Sequence, residues 1–309
     1  MKNNRKKSEK GQKTTQKRAI YVGGNRNECR QLDETAPFRA HPSGLTLSCS
    51  LVTNHALNPN SPAGGSVFPS VHLAIVCPMA NESQSAVKFV REVLSYCGSF
   101  AKVDFFIVLD KVSKDNTLEL LRAEAVADPR IKPVWAPENR CIVDAYIRGY
   151  REALAAGAGW ILEIDAGFSH RPADIPLFFE TMAQGYDCVF ATRFAKGGKI
   201  VGSSFQREMI SRGGTILTNL LLNTKLSDMT SGFQLFKGQV LEKILAKGIY
   251  SRGPFFQTEM KAYCYHLHFA EIPITYSMAS HAVGSASIKE SFQQLWRLFE
   301  LRRSGKLAI

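Results

Sequence analysis

The chain contains no Cys-x-x-Cys pair, and its 7 cysteines are scattered and odd in number. That excludes a disulfide framework and argues for a reducing, cytoplasmic setting. Cys77 and Cys188 lie in apolar, strand-like runs and read as buried thiols. No Cys/His cluster has metal-site spacing, so no soft-metal centre is implied. No stretch reaches about 18 consecutive apolar residues, so no membrane span is expected. The N-terminal segment is basic, but no apolar run follows it, which excludes a secretory signal. It also lacks interleaved aromatics, so no nucleic-acid partner is expected.

What is present is an ordinary globular composition, 45% hydrophobic over 309 residues, sufficient for one large domain or two small ones. The net charge of +12 is uneven. Lys2, Arg5, Lys6, Lys7, Lys10, Lys13, Lys17 and Arg18 crowd the first segment against Glu9 alone. Such a tail can touch anionic lipid, but a solvated leader is the commoner case. Residues 1–70 are rich in Asn, Ser, Lys, Gly and Pro, and Asn58 to Gly65 is a chain of turn signals. The segment is expected to be a mostly unstructured extension.

From Val71 the texture changes. Apolar runs at His72–Cys77, Val103–Leu109, Ile131–Trp135, Trp160–Ile164 and Asp187–Ala191 read as strands. Helical patterns separate them: Val87 to Leu94, a helix capped at Asp115-Asn116-Thr117, Cys141 to Ala156, and one opened by Pro172. This alternation predicts an α/β, doubly wound, mostly parallel sheet of Rossmann-like type. After Arg193 the alternation breaks. Phe205–Leu222 reads as a helix, either core-facing with solvated arginines or lying at a membrane surface. Ile288, Phe292, Leu295, Trp296 and Phe299 form an apolar stripe on a basic C-terminal amphipathic helix, open to the same two readings.

Trp160 to His170 carries the strongest functional signal: a buried-strand pattern ends in Asp165, two small residues and a polar turn. Open α/β sheets bind ligands at such strand ends, where a carboxylate can hold a metal against a phosphorylated substrate. The plain alternative is an Asp that caps the next helix or closes a turn. Asn81 and Glu82 after the first strand and Asp110 after the second strengthen the functional reading. The segment after the first strand, Pro78-Met79-Ala80-Asn81-Glu82, is not a Gly-rich phosphate loop, which argues against a nucleotidyltransferase.

These segments resemble the motifs of family-2, GT-A-fold glycosyltransferases, and most of all the dolichol/polyprenol-phosphate mannosyltransferase branch. The matching stretches are Pro78–Glu82, Asp110–Thr117, Asp165–Pro172, Ala191–Phe194, Arg207–Gly213, Ser227–Leu235 and Phe256–Met260. The resemblance covers residues 71–287, which are expected to form the catalytic domain, with 288–309 as an appended helix. It departs from the pattern at Ala80, Lys111, Val112 and Gly167, the last in place of the second carboxylate of the metal motif.

The resemblance implies that Pro78, Asn81, Glu82 and Asp110 hold the nucleoside. It implies that Asp165 holds Mg²⁺ or Mn²⁺ on the diphosphate of a nucleotide sugar, with Ser169 or His170 contributing. One or two carboxylates suffice for such an ion. It assigns Arg193 and Arg212 to donor and acceptor phosphates, and Arg207 would help Arg212 orient the acceptor phosphate. The expected reaction is a metal-assisted, inverting transfer of a mannose- or glucose-type hexose to a polyprenyl or dolichyl phosphate, with peripheral membrane contact at the cytoplasmic face. The alternatives are transfer to a saccharide hydroxyl, with Asp228 or Glu259 as base, and a non-catalytic nucleotide-sugar-binding protein. Gln257 is a further candidate site residue.

Overall fold

The computed structural model describes residues 21–22, 67–277 and 285–309. The strands are β1 (Tyr21–Val22), β2 (Phe68–Pro78), β3 (Phe100–Leu109), β4 (Ile131–Trp135), β5 (Trp160–Glu163), β6 (Cys188–Thr192), β7 (Lys199–Val201), β8 (Gln234–Lys237), β9 (Phe269–Pro273) and β10 (Thr275–Ser277). The helices are α1 (Ala86–Ser95), α2 (Thr117–Ala127), α3 (Ile142–Ala155), α4 (Ile175–Met182), α5 (Phe205–Leu222), α6 (Gly238–Lys247), α7 (Phe256–Tyr263) and α8 (Ser285–Arg303), with a 3₁₀ turn at Pro172–Asp174. The main sheet runs β1-β9-β6-β8-β5-β2-β3-β4, and β10 pairs with β7 separately. β4, β3, β2 and β5 are mutually parallel; β8 is antiparallel to β5 and β6. This is the expected mostly parallel α/β sheet.

β2 is apolar throughout because both of its faces are covered. Leu73, Ile75 and Cys77 join Phe89, Val93 and Phe178 in one core. Ala74 and Val76 join Tyr146, Tyr150, Leu241 and Met260 in the other. β2 begins at Phe68, earlier than the expected boundary at 71, because Phe68 stacks on Phe100 with centroids 4.8 Å apart. Of the expected unstructured leader, residues 1–20 and 23–66 lie outside the described residues, while Tyr21–Val22 pair with β9.

The two amphipathic segments form helices, but their faces differ from the sequence reading. On α8, Leu295 and Leu298 are buried, whereas Phe292 and Trp296 are each 58% exposed. On α5, Thr215, Thr218 and Leu222 face inward and Ile216 and Leu220 face outward. Glu259 accepts a hydrogen bond from the Arg297 guanidinium, tying α8 to α7.

Gly149 of α3 sits hard against β2: a Cβ there would lie 2.3 Å from Val76 Cγ1. Alanine favours helix over glycine by about 1 kcal/mol. Overpacking a filled core costs about 1–3 kcal/mol. Gly149→Ala is therefore expected to lower stability in urea denaturation, against the sign that helix propensity alone would set.

Candidate active site

Because β2, β3 and β5 are parallel, their C-terminal ends reach one edge of the sheet. Asn81, at φ 58°, is engaged there in holding the loop after β3. Its Oδ1 accepts the Lys114 N–H at 2.8 Å, and its Nδ2 donates to the Val112 carbonyl at 3.1 Å. Asp110 accepts the Val112 N–H at 2.8 Å. Asp115, just ahead of α2, accepts the Thr117 hydroxyl at 2.6 Å and backbone N–H at 3.1 Å. The Thr117 hydroxyl bond holds its carboxyl well below the usual range, burial opposing it. The Glu82 N–H donates to Thr117 Oγ1 at 2.9 Å, and the Glu82 carboxylate accepts the Ser85 hydroxyl.

Asp165 follows β5, and its side chain is 38% exposed. Tyr146 donates its hydroxyl to Asp165 Oδ1, and Tyr150 donates to Glu163 Oε2. The spacings match. Tyrosines four apart on a helix are about 6 Å apart along the axis, and carboxylates two apart on an extended chain about 6.6 Å. Burial pushes the Tyr146 phenol well up, and the nearby Asp165 charge adds to this, so it remains a donor. Burial pushes Glu163 up to about 8 against the hydrogen bonds from Tyr150 and Gln257. Gln257 also accepts from Gln234, closing a buried polar cluster beneath Asp165.

His170 is almost wholly buried, and burial holds its pKa below the ordinary value. Its Nδ1 lies 3.3 Å from the Asp165 N–H, which it accepts, and 3.4 Å from Asp165 Oδ2. Nδ1 therefore has no proton to give that oxygen. Among the described residues Asp165 thus has one capped oxygen and one without a hydrogen-bond donor.

A cavity of 550 Å³ opens beside it, with Asp165, His170, Arg193, Arg207, Gln257 and Tyr276 in its polar wall. Ile210, Leu217, Phe292 and Leu295 form part of its apolar wall. Pro78, Asn81, Glu82 and Asp110 lie outside that wall. Arg207 and Arg212 are separated by five residues, about 140° around a helix. Only Arg207 lines the cavity; Arg212 pairs with Glu208 at 2.8 Å and stacks on Phe194 at 4.4 Å. The expected joint grip of both arginines on one phosphate is corrected by that geometry.

Arg193 forms a fork with Asp228, Nε to Oδ2 at 2.7 Å and Nη2 to Oδ1 at 2.9 Å, and also donates to Thr230 Oγ1 at 2.5 Å. Burial would raise the Asp228 carboxyl, but the Arg193 charge and hydrogen bonds outweigh it and hold it well below the usual range. Glu259 accepts from the Ser251 N–H at 2.8 Å, the Tyr263 hydroxyl at 2.7 Å and Arg297. Both carboxylates are thus occupied by internal donors, so neither is placed to act as the base considered from sequence. The Ser169 hydroxyl is engaged with the Ala166 carbonyl at 3.3 Å.

Sequence reasoning missed Tyr146, Glu163, Lys261 and Tyr276. The first two left a signal: Tyr146-x-x-x-Tyr150 matches Glu163-x-Asp165 in reach. Lys261 left none, being a lysine in a helix that is buried on every side.

A divalent ion fits here in part. Among the described residues no three His, Cys, Asp or Glu side chains are grouped to hold a metal. One open Asp165 oxygen beside a neutral imidazole suits a hard cation that takes its other ligands from phosphate and water. A second carboxylate at 167 is disfavoured by the backbone: Gly167 has φ +73°, and a Cβ there would lie 2.9 Å from the movable Glu82 Oε1.

The strand-end carboxylates, the mixed sheet and the arginine-bearing cavity define a GT-A-like, Rossmann-type fold of the sugar-nucleotide transferases. The chain belongs to glycosyl transferase family 2, whose profile matches residues 74–245, and is a glycosyltransferase. It is 25% identical over 244 residues to a polyprenol monophosphomannose synthase of Mycolicibacterium smegmatis, covering 78% of this chain and 91% of that one. It is 31% identical over 172 residues to an undecaprenyl-phosphate mannosyltransferase of Micrococcus luteus, covering 55% and 70%. Its fold is similar to glucosyl-3-phosphoglycerate synthase of Mycobacterium tuberculosis bound to Mn²⁺, uridine diphosphate and phosphoglyceric acid. That match has a TM-score of 0.55 at 13% identity and covers 80% of this chain and 85% of the other. The same synthase with Mg²⁺ and uridine diphosphate matches with a TM-score of 0.52 at 15% identity, covering 76% and 80%.

These structures correct the expected acceptor. The synthase holds phosphoglyceric acid, a small water-soluble phosphate ester, where a polyprenyl or dolichyl phosphate was expected. The expected membrane association is withdrawn with it. No helix among the described residues is long and apolar enough to cross a membrane, and the Leu295–Leu298 face of α8 is already committed to the core.

Two outcomes are expected. Gly167→Asp lowers stability by about 1–2 kcal/mol in chemical denaturation, because a side chain is strained at positive φ. Lys261 donates to the Asp228 carbonyl at 2.8 Å, and burial pushes it down to about 8 against the nearby Asp228 and Glu271 charges. A folded pKa below the unfolded one means that folding releases a proton between about pH 8 and 10.5. Stability gained from this group therefore rises with pH across that window. Lys261→Met should flatten that rise in denaturation midpoints taken from pH 7.5 to 10.5.

Proposed function

We propose that this chain transfers a hexosyl group from a nucleotide-diphosphate sugar to a phosphate-bearing acceptor, assisted by Mg²⁺ or Mn²⁺. Residues 71–287 form the catalytic unit in this reading, and α8 closes one wall of its cavity. The observation that carries it is the meeting of Asp165, Arg193 and Arg207 at one cavity on the C-terminal edge of the sheet. Support for the cation and a uridine-diphosphate sugar donor comes from the similar synthase, which holds Mn²⁺ with uridine-diphosphate-glucose. Kinship with the polyprenol-phosphate mannosyltransferase branch rests on the two curated relatives, and their acceptor is not carried over.

Glu82 and Asp110 flank the nucleoside side of the sheet edge. Asp165 holds the cation, which when bound neutralises charge on the departing nucleoside diphosphate. Arg193 is held in place by Asp228 and keeps its fork rigid beside the cavity. Arg207 faces the acceptor and suits a phosphate by charge and shape. The apolar wall from α5 and α8 excludes water from the reacting atoms. Gln257, fixed by Glu163 and Gln234, offers an amide to sugar or phosphate oxygens.

The test is transfer from uridine- and guanosine-diphosphate hexoses to 3-phosphoglycerate, with unphosphorylated glycerate as the control. Transfer is expected only to the phosphorylated acceptor and only with added cation. Asp165→Asn should reduce kcat/KM by about 10²-fold or more, the scale of losing one electrostatic stabiliser. Unimpaired, cation-dependent turnover by that variant would remove the proposal.

A further inference from the structure

We propose that Tyr146 is the positioning residue of this site: its hydroxyl pins one oxygen of Asp165 and leaves the other turned to the cavity for a hard divalent cation. The inference rests on the reading of Asp165 given under the proposed function.

A carboxylate at a strand end can rotate about its Cβ–Cγ bond, and each rotamer presents a different oxygen. Here Oδ1 has a donor in Tyr146, and Oδ2 has none among the described residues. His170 cannot fill that role, since its Nδ1 already accepts the Asp165 N–H. Tyr146 is itself held on both sides. Its ring lies 4.9 Å from Phe256 and 6.2 Å from Tyr150. It is 3% exposed, yet it lines the cavity. Its helix is pressed onto β2 at Gly149, which sets how far the hydroxyl reaches.

The missing second carboxylate makes this orientation matter more. With Gly167 in its place, a cation has a single carboxylate of the motif to find, so an ill-turned Asp165 has no partner to compensate. Hydrogen-bond partners of metal ligands are commonly worth 10–100-fold in affinity. Tyr150 supplies an internal control. It makes the same kind of bond one turn along, to Glu163, and does not line the cavity. A loss of packing or of a buried hydroxyl would show in both tyrosines; orientation of Asp165 concerns Tyr146 alone.

The experiment measures Mn²⁺ binding to the full chain by electron paramagnetic resonance, with uridine diphosphate or guanosine diphosphate present. It compares native protein, Asp165→Asn, Tyr146→Phe and Tyr150→Phe. The expected result is loss of binding in Asp165→Asn, weakening of about tenfold or more in Tyr146→Phe, and a change within about twofold in Tyr150→Phe. Thermal melts verify that each variant is folded at the temperature used. If Asp165→Asn loses Mn²⁺ but Tyr146→Phe binds as the native protein does, the positioning role falls and the cation reading stands. Equal weakening in the two tyrosine variants also overturns it, because the hydroxyl then acts through packing. If Asp165→Asn binds Mn²⁺ as tightly as native protein, both readings fall together.

Discussion

Close contact between α3 and the central strand β2 is the constraint on which the site depends. Gly149 has no side chain to hold the two apart, so Tyr146, about one turn before the contact, and Tyr150, directly after it, reach past β2 to β5. There they meet carboxylates spaced to receive them. A strand alone would deliver Asp165 to the sheet edge but not orient it. A helix alone would present two tyrosines as ordinary core residues. The register of one against the other makes a defined arrangement of donor and acceptor atoms.

Charge in the interior is arranged with similar economy. Asp228, Lys261, Glu271 and Glu163 are buried, while Arg193 reaches the cavity wall. Buried charges are tolerated when each is paired and hydrogen-bonded, and removing one partner is costly. Asp228 holds Arg193 through its side chain and Lys261 through its carbonyl. Glu271 accepts the N–H groups of Ser227 and Asp228 and so fixes the loop that carries them. Carboxylates that looked like candidate bases along the chain are thereby parts of the scaffold. The cavity wall carries Asp165, Arg193, Arg207 and Gln257, a set suited to phosphate and sugar oxygens.

Much of this could be read along the chain because it follows from local chemistry. Alternating apolar runs and helical periods mark the parallel sheet, since a strand covered on both faces must be apolar throughout. Asp115 is legible as a partner for the first turn of α2 because Thr117 follows it at the right offset. Asp165 is legible because a carboxylate ending a buried strand is costly unless it faces something polar. The faces of α5 and α8 were not legible. Both carry apolar residues around more than half their circumference, so periodicity does not say which stripe is buried. Packing chose Leu295 and Leu298 over Phe292 and Trp296.

Burial period and turn chemistry are local properties, so the strands β2 to β6, the helices between them and the carboxylates at their ends are written along the chain. Which of those charges face the cavity is set by packing between distant segments. Whether an arginine or aspartate faces a cavity or another side chain depends on residues far away in the chain, such as Arg193 with Asp228 and Glu259 with Arg297. Spacing along one segment carries no record of such partners, and the partner determines whether a charge is spent on the fold or offered to a substrate.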